Sequence, residues 1–275
     1  MSLAACVEKR ACLDCGSSDS LQVYLNIDEA LGIEWYTSFC HSACWEQKGD
    51  PYKGGSGPTV HVKSEAEKMA EVRDVQSCKL FQPKGGYRGI PTKFYTQWGI
   101  RLLLSEFDGS TPYAIGFPYS DYSELVGWKV RPLHKKDFFA LGRTANVDVF
   151  GLKRAFQIGG DTLWITEGEF DAIALDYCLS LAGDKGKYPV VSLTAGGGSM
   201  AKNLNYIEDR VPAKFKNIVL VLDDDEVGKL AEETALDMWN NIYIVSKPEG
   251  SKDANDAVEN GDAKLMGTLA LNFKD

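Results

Sequence analysis

Between residues 162 and 245 short apolar runs alternate with segments of helical periodicity, and this alternation constrains the fold more than any other feature of the chain. Thr162–Thr166, Pro189–Leu193, Ile218–Leu222 and Ile242–Val245 read as strands. Phe170, Ile173, Ala174, Tyr177 and Leu181 recur at helical spacing after the first strand, the glycines 196–198 and a helix candidate follow the second, and a helix to about Trp239 follows the third. Strands without polar interruption must be covered on both faces. With helices between them they imply a parallel sheet whose functional loops lie at the strands' carboxyl ends. The expected fold class is α/β with α+β features: a parallel, Rossmann-like sheet preceded by a mixed α/β lobe and a small cysteine-bearing module.

Acidic residues crowd those strand ends. Thr166-Glu167-Gly168-Glu169-Phe170-Asp171-Ala172 follows the first strand, and Leu222-Asp223-Asp224-Asp225-Glu226 follows the third. If the third strand continues through them, alternation places Asp223 and Asp225 on one side. Acids in a first helical turn also complement the helix dipole, which accounts for Asp171 and Glu226 but not for five carboxylates together. Hard oxygen donors gathered this way suit Mg²⁺ or Mn²⁺, with waters and phosphate oxygens completing the shell. Lys252-Asp253-Ala254-Asn255-Asp256 follows the fourth strand and can add Asp253 to the same edge. Asp or Asn before a helix is also an ordinary cap.

The net charge of −9 hides a strong asymmetry. Residues 79–154 carry a net +6, residues 155–275 a net −10 and residues 1–78 a net −5. A basic middle beside an acidic end can hold a polyanion against a metal site. Lys129 and Arg131 stand two apart on a strand candidate, hence on one face. Lys135, Lys136 and Arg143 lie close by, and Arg88 sits within Gly85-Gly86-Tyr87-Arg88-Gly89. Any one of these lysines taken alone reads as part of a solvated face. Trp98, Trp128, Tyr119 and Tyr122 are candidates for stacking on bases, although most aromatics here read as core.

Five of the seven cysteines fall in the first fifty residues. Cys12-x2-Cys15 followed by Gly16 has the form of a zinc-binding turn, and Cys40-x3-Cys44 supplies a second pair for a tetrahedral structural site. That spacing is one longer than usual, and His41-x2-Cys44 would restore it, so either Cys40 or His41 is the third ligand. Cys78 and Cys178 read as packing residues. The expected organisation is a zinc-binding domain over 1–50, a flexible Gly/Pro/Ser linker over 51–63, a basic lobe over 64–155 and the carboxylate-bearing domain over 156–275. Within the basic lobe, Pro91 to Trp98 reads as a short helix and Ile100–Leu104, Tyr113–Phe117 and Leu125–Val130 as strands. No apolar run reaches membrane-spanning length and no signal-peptide core is present, which makes a cytoplasmic protein the expectation. No GxxxxGK[ST] loop occurs, so a nucleotide-driven motor is not expected within this chain.

Taken in order, these residues resemble the TOPRIM site shared by bacterial-type primases, topoisomerases and some nucleases. They are most similar to the primase half of the phage primase–helicase family, relatives of bacterial primases and of mitochondrial Twinkle. The resemblance runs through the cysteine module and linker, Tyr87-Arg88-Gly89-Ile90, Lys129-Val130-Arg131, Thr166-Glu167-Gly168-Glu169, Asp223-Asp224-Asp225-Glu226-Val227-Gly228 and Lys252-Asp253-Ala254-Asn255. It implies a small zinc-ribbon module, an N-lobe and a TOPRIM domain. The implied activity is a DNA primase, a DNA-directed RNA polymerase that makes short RNA primers from ribonucleoside triphosphates on single-stranded DNA in the cytoplasm of a phage-infected host. Glu167, Asp223 and Asp225 would be catalytic, and with Asp171 and Asp253 they would hold Mg²⁺ or Mn²⁺. Cys12, Cys15, Cys40 and Cys44 would hold Zn, and Lys129, Arg131 and Lys136 would grip nucleotide or template. A replicative helicase, fused or separate, would be a partner. A TOPRIM nuclease or a non-catalytic replisome module are the rival readings. The basic middle and cysteine module weigh against the first, and the intact carboxylates against the second.

Overall fold

The computed structural model describes the chain except for residues 1, 29–32, 42–46, 53–62, 106, 136, 185 and 275. Cys44 and Lys136 therefore lie outside the described residues, as does most of the expected linker. The chain divides into two compact units, Met1–Ser64 and Glu65–Asp275.

The first unit is an antiparallel sheet in the order β1 (Ser2–Arg10), β2 (Leu21–Asp28), β3 (Ile33–Cys40) and β4 (Gln47–Gly49). Among its described residues the buried apolar side chains are few: Val23 and Leu25 alternate on β2 and are joined by Cys12 and Cys40.

The second unit begins with α1 (Glu65–Ser77), whose Val72 and Val75 pack on Trp128 and Val130. After α2 (Thr92–Gln97), four antiparallel strands follow as a meander: β5 (Arg101–Leu104), β6 (Pro112–Asp121), β7 (Glu124–Pro132) and β8 (Phe139–Gly142). β6 and β7 run longer than their apolar patterns indicate. They close through Tyr122 and Ser123, both at positive φ, in a tight turn whose twist matches the hairpin.

The remaining elements are α3 (Leu152–Ile158), β9 (Thr162–Thr166), α4 (Glu169–Ala182), β10 (Val190–Ser192), α5 (Met200–Ile207), α6 (Val211–Lys214), β11 (Asn217–Val221), α7 (Glu226–Met238), β12 (Ile242–Ile244), α8 (Ala254–Glu259) and α9 (Ala263–Leu271). The expected parallel sheet forms in the order β10-β9-β11-β12. Alternate residues of each strand serve opposite layers. Trp164, Val219 and Val221 pack with α4, while Leu163, Ile165, Ile218 and Leu220 pack with α5 and α7. The layer containing α4 also includes Phe81, Ile90, Phe94, Ile115 and Phe117, so the meander lobe and the parallel sheet share one core. Among the described residues no helix is long and apolar enough to cross a membrane.

From β9 the chain crosses to β10 on one side and later returns to β11 on the other. The carboxyl ends of β9 and β11 flank that reversal, where open α/β sheets bind their ligands.

Candidate functional site

Thr166 and Val221 are register partners, so the segments leaving β9 and β11 emerge side by side. Glu167 bridges them. Its Oε1 accepts the backbone N–H of Asp223 at 3.3 Å, and its Oε2 accepts that of Gly197 at 2.8 Å. Close approach explains the glycines around it: a Cβ at Gly228 would stand 2.1 Å from the Asp223 carbonyl oxygen, and one at Gly197 would stand 3.1 Å from Glu167 Oε1. The loop after β12 is tied in by the N–H of Asp224, which donates to the Lys252 carbonyl at 3.0 Å. That contact brings Asp253 to the same edge.

The electrostatics show how crowded this edge is. Burial, then the charges of Glu167, Asp253 and Asp225, push the Asp223 carboxyl up to about 7. Burial, followed by Asp253 and Asp223, raises Asp171 well above the carboxylate range. Glu167, Asp171, Asp223 and Asp253 thus converge as the strand-end pattern anticipates. Among the described residues no three carboxylates gather as tightly as the thiols of the first unit, whose sulfurs lie within 4.8 Å of one another. Magnesium tolerates such spacing, since it keeps several waters and takes only one or two protein carboxylates.

Two expectations change. β11 ends at Val221, so strand alternation does not carry through Asp223 to Asp225. Asp225 is exposed and caps α7, its Oδ1 accepting the Gly228 N–H at 2.8 Å, while still adding charge beside Asp223. Asp253 likewise caps α8 through the Asp256 N–H at 2.7 Å. Glu169 leaves the acidic group altogether. It turns toward the meander, where its Oε1 meets Lys129 Nζ at 2.8 Å and the Tyr119 hydroxyl at 2.6 Å.

The basic strand faces the first turn of α4. Arg131 lies over the Phe170 ring at 5.3 Å, and Arg88 lies over the same ring at 4.7 Å. Arg131 also lines a cavity of about 280 Å³ with Tyr87, His134 and Lys135. Among the described residues no carboxylate lines this cavity, so it suits an anion. Trp98, Trp128 and Tyr119 are buried and cannot stack on bases; Tyr122 remains largely exposed beneath Arg210.

In the first unit, the turn after Cys12 closes through Gly16, whose N–H donates to the Cys12 carbonyl at 2.9 Å with φ of 72°. It brings Cys12 and Cys15 to Cys40 at the end of β3, and the three sulfurs form a group able to hold a metal ion. The Cys15 and Cys40 sulfurs are 3.7 Å apart, against roughly 3.8 Å between ligands of a tetrahedral zinc with Zn–S bonds of about 2.3 Å. A backbone hydrogen bond at Ser17 lowers the Cys15 thiol toward its metal-binding thiolate form. Of the two alternatives for the third ligand, Cys40 joins the group, whereas His41 Nε2 lies 2.8 Å from the Tyr24 hydroxyl.

This geometry agrees with the comparisons to known proteins. Residues 164–258, from β9 through α8, match the Toprim-like family. The matching segment contains Glu167, Asp171, Asp223, Asp225 and Asp253. The chain is similar to the DNA helicase/primase of Enterobacteria phage T3, at 29% identity over 271 residues, which cover 93% of this chain and 42% of that relative. It shares the fold of the primase fragment of the bacteriophage T7 primase-helicase protein, with a TM-score of 0.58, 24% identity, and coverage of 96% of this chain and 100% of that one. A second similar structure is a T7 primase domain in a lagging-strand DNA polymerase complex bound to an RNA/DNA hybrid and dTTP. It has a TM-score of 0.56 and 26% identity, covering 70% of this chain and 91% of the other. The resemblance to the phage primase–helicase family therefore holds, with the Toprim-like domain as its best-defined part.

The contacts that sequence reasoning missed are the Gly197 N–H on Glu167, the pairing of Lys129 with Glu169, and the two arginines stacked on Phe170. The glycines 196–198 and Arg88 were visible in sequence; their partners were not.

Proposed function

We propose that this chain is the primase portion of a phage replication protein and synthesises short RNA primers on single-stranded DNA. The observation carrying this reading is the convergence of Glu167, Asp171, Asp223 and Asp253 at the sheet's switch point, beside the cationic cavity of Arg131, within a Toprim-like domain. Glu167 and Asp223, supported by Asp171, Asp225 and Asp253, would hold Mg²⁺ or Mn²⁺. Bound there, the metal supplies charge neutralisation for phosphoryl transfer. Arg131, with Lys135 and Lys136, binds triphosphate or template phosphates. Stacking on the Phe170 ring orients the Arg131 guanidinium, consistent with bidentate phosphate recognition. Glu167, held by two backbone N–H groups, is placed to take the proton of an attacking 3′-hydroxyl. The new P–O bond forms at the α-phosphorus and pyrophosphate leaves.

The first unit would bind one zinc through Cys12, Cys15, Cys40 and Cys44 and read the template without taking part in bond chemistry, since four protein donors leave tetrahedral zinc no open position. The protein would work in the cytoplasm of a phage-infected host cell with a replicative helicase, fused or separate, as partner, a reading supported by its similarity to a phage DNA helicase/primase.

The deciding test is an assay with labelled ribonucleotides over a library of single-stranded templates. Template-directed products of a few nucleotides are expected; template cleavage without ribonucleotide incorporation would make the site a nuclease. Metal analysis should find one zinc per chain, lost in Cys15→Ala and Cys40→Ser and retained in His41→Ala. Zinc loss in His41→Ala with retention in Cys40→Ser would reverse that ligand assignment. Arg131→Ala should weaken nucleotide or template binding and lower the salt slope of template affinity by about 1. An unchanged slope and affinity would return Arg131 to the solvated face.

A further inference from the structure

The sequence pairs Lys129 with Arg131 as equivalent phosphate grips, but the structure treats them differently. A lysine ammonium has three N–H donors. Lys129 Nζ lies 2.8 Å from Glu169 Oε1, 3.2 Å from the Thr194 carbonyl oxygen and 4.5 Å from the centre of the Phe138 ring. Two oxygens and an aromatic ring thus surround the ammonium, and the side chain is only 14% exposed. A phosphate could reach this ammonium only by breaking an existing contact in a poorly hydrated place. Arg131, in contrast, opens onto the cationic cavity.

Thr194 begins the loop that carries Gly197. On its other side Thr194 is anchored by the buried Asn203, whose Oδ1 accepts the Thr194 N–H at 2.8 Å and whose Nδ2 donates to the Thr194 hydroxyl at 3.1 Å. Further along, the Ser199 hydroxyl donates to the Gly196 carbonyl at 2.7 Å, and the Gly197 N–H holds Glu167 Oε2. Glu169 is itself fixed by the fully buried Tyr119.

We propose that Lys129 is a positioning residue. Clamped between Glu169 and the Thr194 carbonyl, it fixes the loop whose Gly197 N–H aims the Glu167 carboxylate. Tyr119, Glu169, Lys129, Thr194 and Gly197 form a continuous strut from the meander lobe to the acidic edge. Its purpose is geometric: the two members of the ion pair cancel in charge, leaving little net field for a nucleotide. Supporting groups of this kind typically change metal affinity or activity by about 10–100-fold when removed.

The test uses the full chain and the charge-balanced double variant Lys129→Met/Glu169→Gln, with Mn²⁺ alone as the metal probe. Amide deuterium exchange across residues 194–199 should accelerate by about tenfold or more. Mn²⁺ affinity, titrated by electron paramagnetic resonance, should fall by about 10–100-fold. The kcat for ribonucleotide incorporation should fall by about 10²-fold, with the nucleotide KM within about twofold of wild type. Unchanged exchange and Mn²⁺ affinity, with a raised KM and intact kcat, would make Lys129 a phosphate grip and overturn the proposal. Should the double variant not fold, Tyr119→Phe removes one hydroxyl and no charge. Several-fold faster exchange in the loop then supports the strut, and unchanged exchange overturns it. Only the kinetic arm rests on the primase reading. If the wild-type chain incorporated no ribonucleotide, that reading would fail while exchange and Mn²⁺ binding still decided the role of Lys129.

Discussion

Asp223→Asn is expected to fold, to melt a few degrees above the wild-type chain in metal-free buffer, and to lose ribonucleotide incorporation by at least about 10²-fold. The stability gain follows from the site's electrostatics. The carboxyl rises from 3.8 to about 7 in the folded chain, chiefly through burial and then through Glu167, Asp253 and Asp225. Between those values the folded chain binds more protons than the unfolded chain, so this group favours folding least once the pH passes about 7. Asparagine removes that penalty together with the ligand. For the same reason Mg²⁺ should raise the wild-type melting temperature more at about pH 8 than at about pH 5, because the carboxylate must be deprotonated to bind it. Asp223→Asn should lose most of this response. Glu167→Gln should be similarly inactive but without comparable stabilisation, since its two backbone donors lose an anionic acceptor. Thermal melts and incorporation rates check both variants. A folded Asp223→Asn with near wild-type activity at low metal would remove Asp223 from the site.

Arg154→Met should cost about 3–5 kcal/mol, lowering the melting temperature by roughly 6–20 °C. Asp176 is fully buried and accepts from Arg154 Nη2 at 2.6 Å, from Trp98 Nε1 at 3.0 Å and from the Tyr188 N–H at 3.0 Å. Arg154 also donates to the Tyr188 carbonyl at 2.8 Å and lies over the Trp98 ring. Burial already raises Asp176, with Arg154 the main opposing influence. Without the arginine, the folded chain would favour the protonated acid still more strongly. Stability would then fall as the pH rises, so the variant's deficit should be smaller at about pH 5 than at about pH 8. Replacing both partners, as Arg154→Met/Asp176→Leu, should recover much of the loss because no buried charge is left alone. Equal melting of wild type and Arg154→Met at both pH values would show that the pair contributes nothing to stability.

The legible parts of the sequence were those set by local pattern. The meander strands β5, β6 and β7 were readable from their apolar runs. The four-residue β8 at the sheet edge was not, because half-exposed edge residues carry little burial signal. The strands of the first unit were also missed; among its described residues the buried apolar alternation on a strand is confined to Val23 and Leu25. Glu167 and Glu169 look equivalent in the run Glu-Gly-Glu, yet the start of α4 at Glu169 sends them to different partners. Lys129 and Arg131 do share a face, as alternation requires, but they differ in what that face meets.

The sequence by itself determined the parallel α/β sheet, the placement of Glu167 and Asp223 at two strand ends on one sheet edge, and Cys12 and Cys15 as a candidate ligand pair, with the third ligand left between Cys40 and His41. Burial on both faces of a sheet and ligand spacing in a tight turn are short-range requirements, and they leave short-range marks. Tertiary structure alone decided that Asp225 caps α7 and that Glu169 pairs with Lys129. It also decided that Arg88 and Arg131 share Phe170 and that a glycine N–H orients Glu167. Each of these joins segments that are brought together by packing or by where an element ends. Periodicity records which face of an element is buried, but not the residue it is buried against.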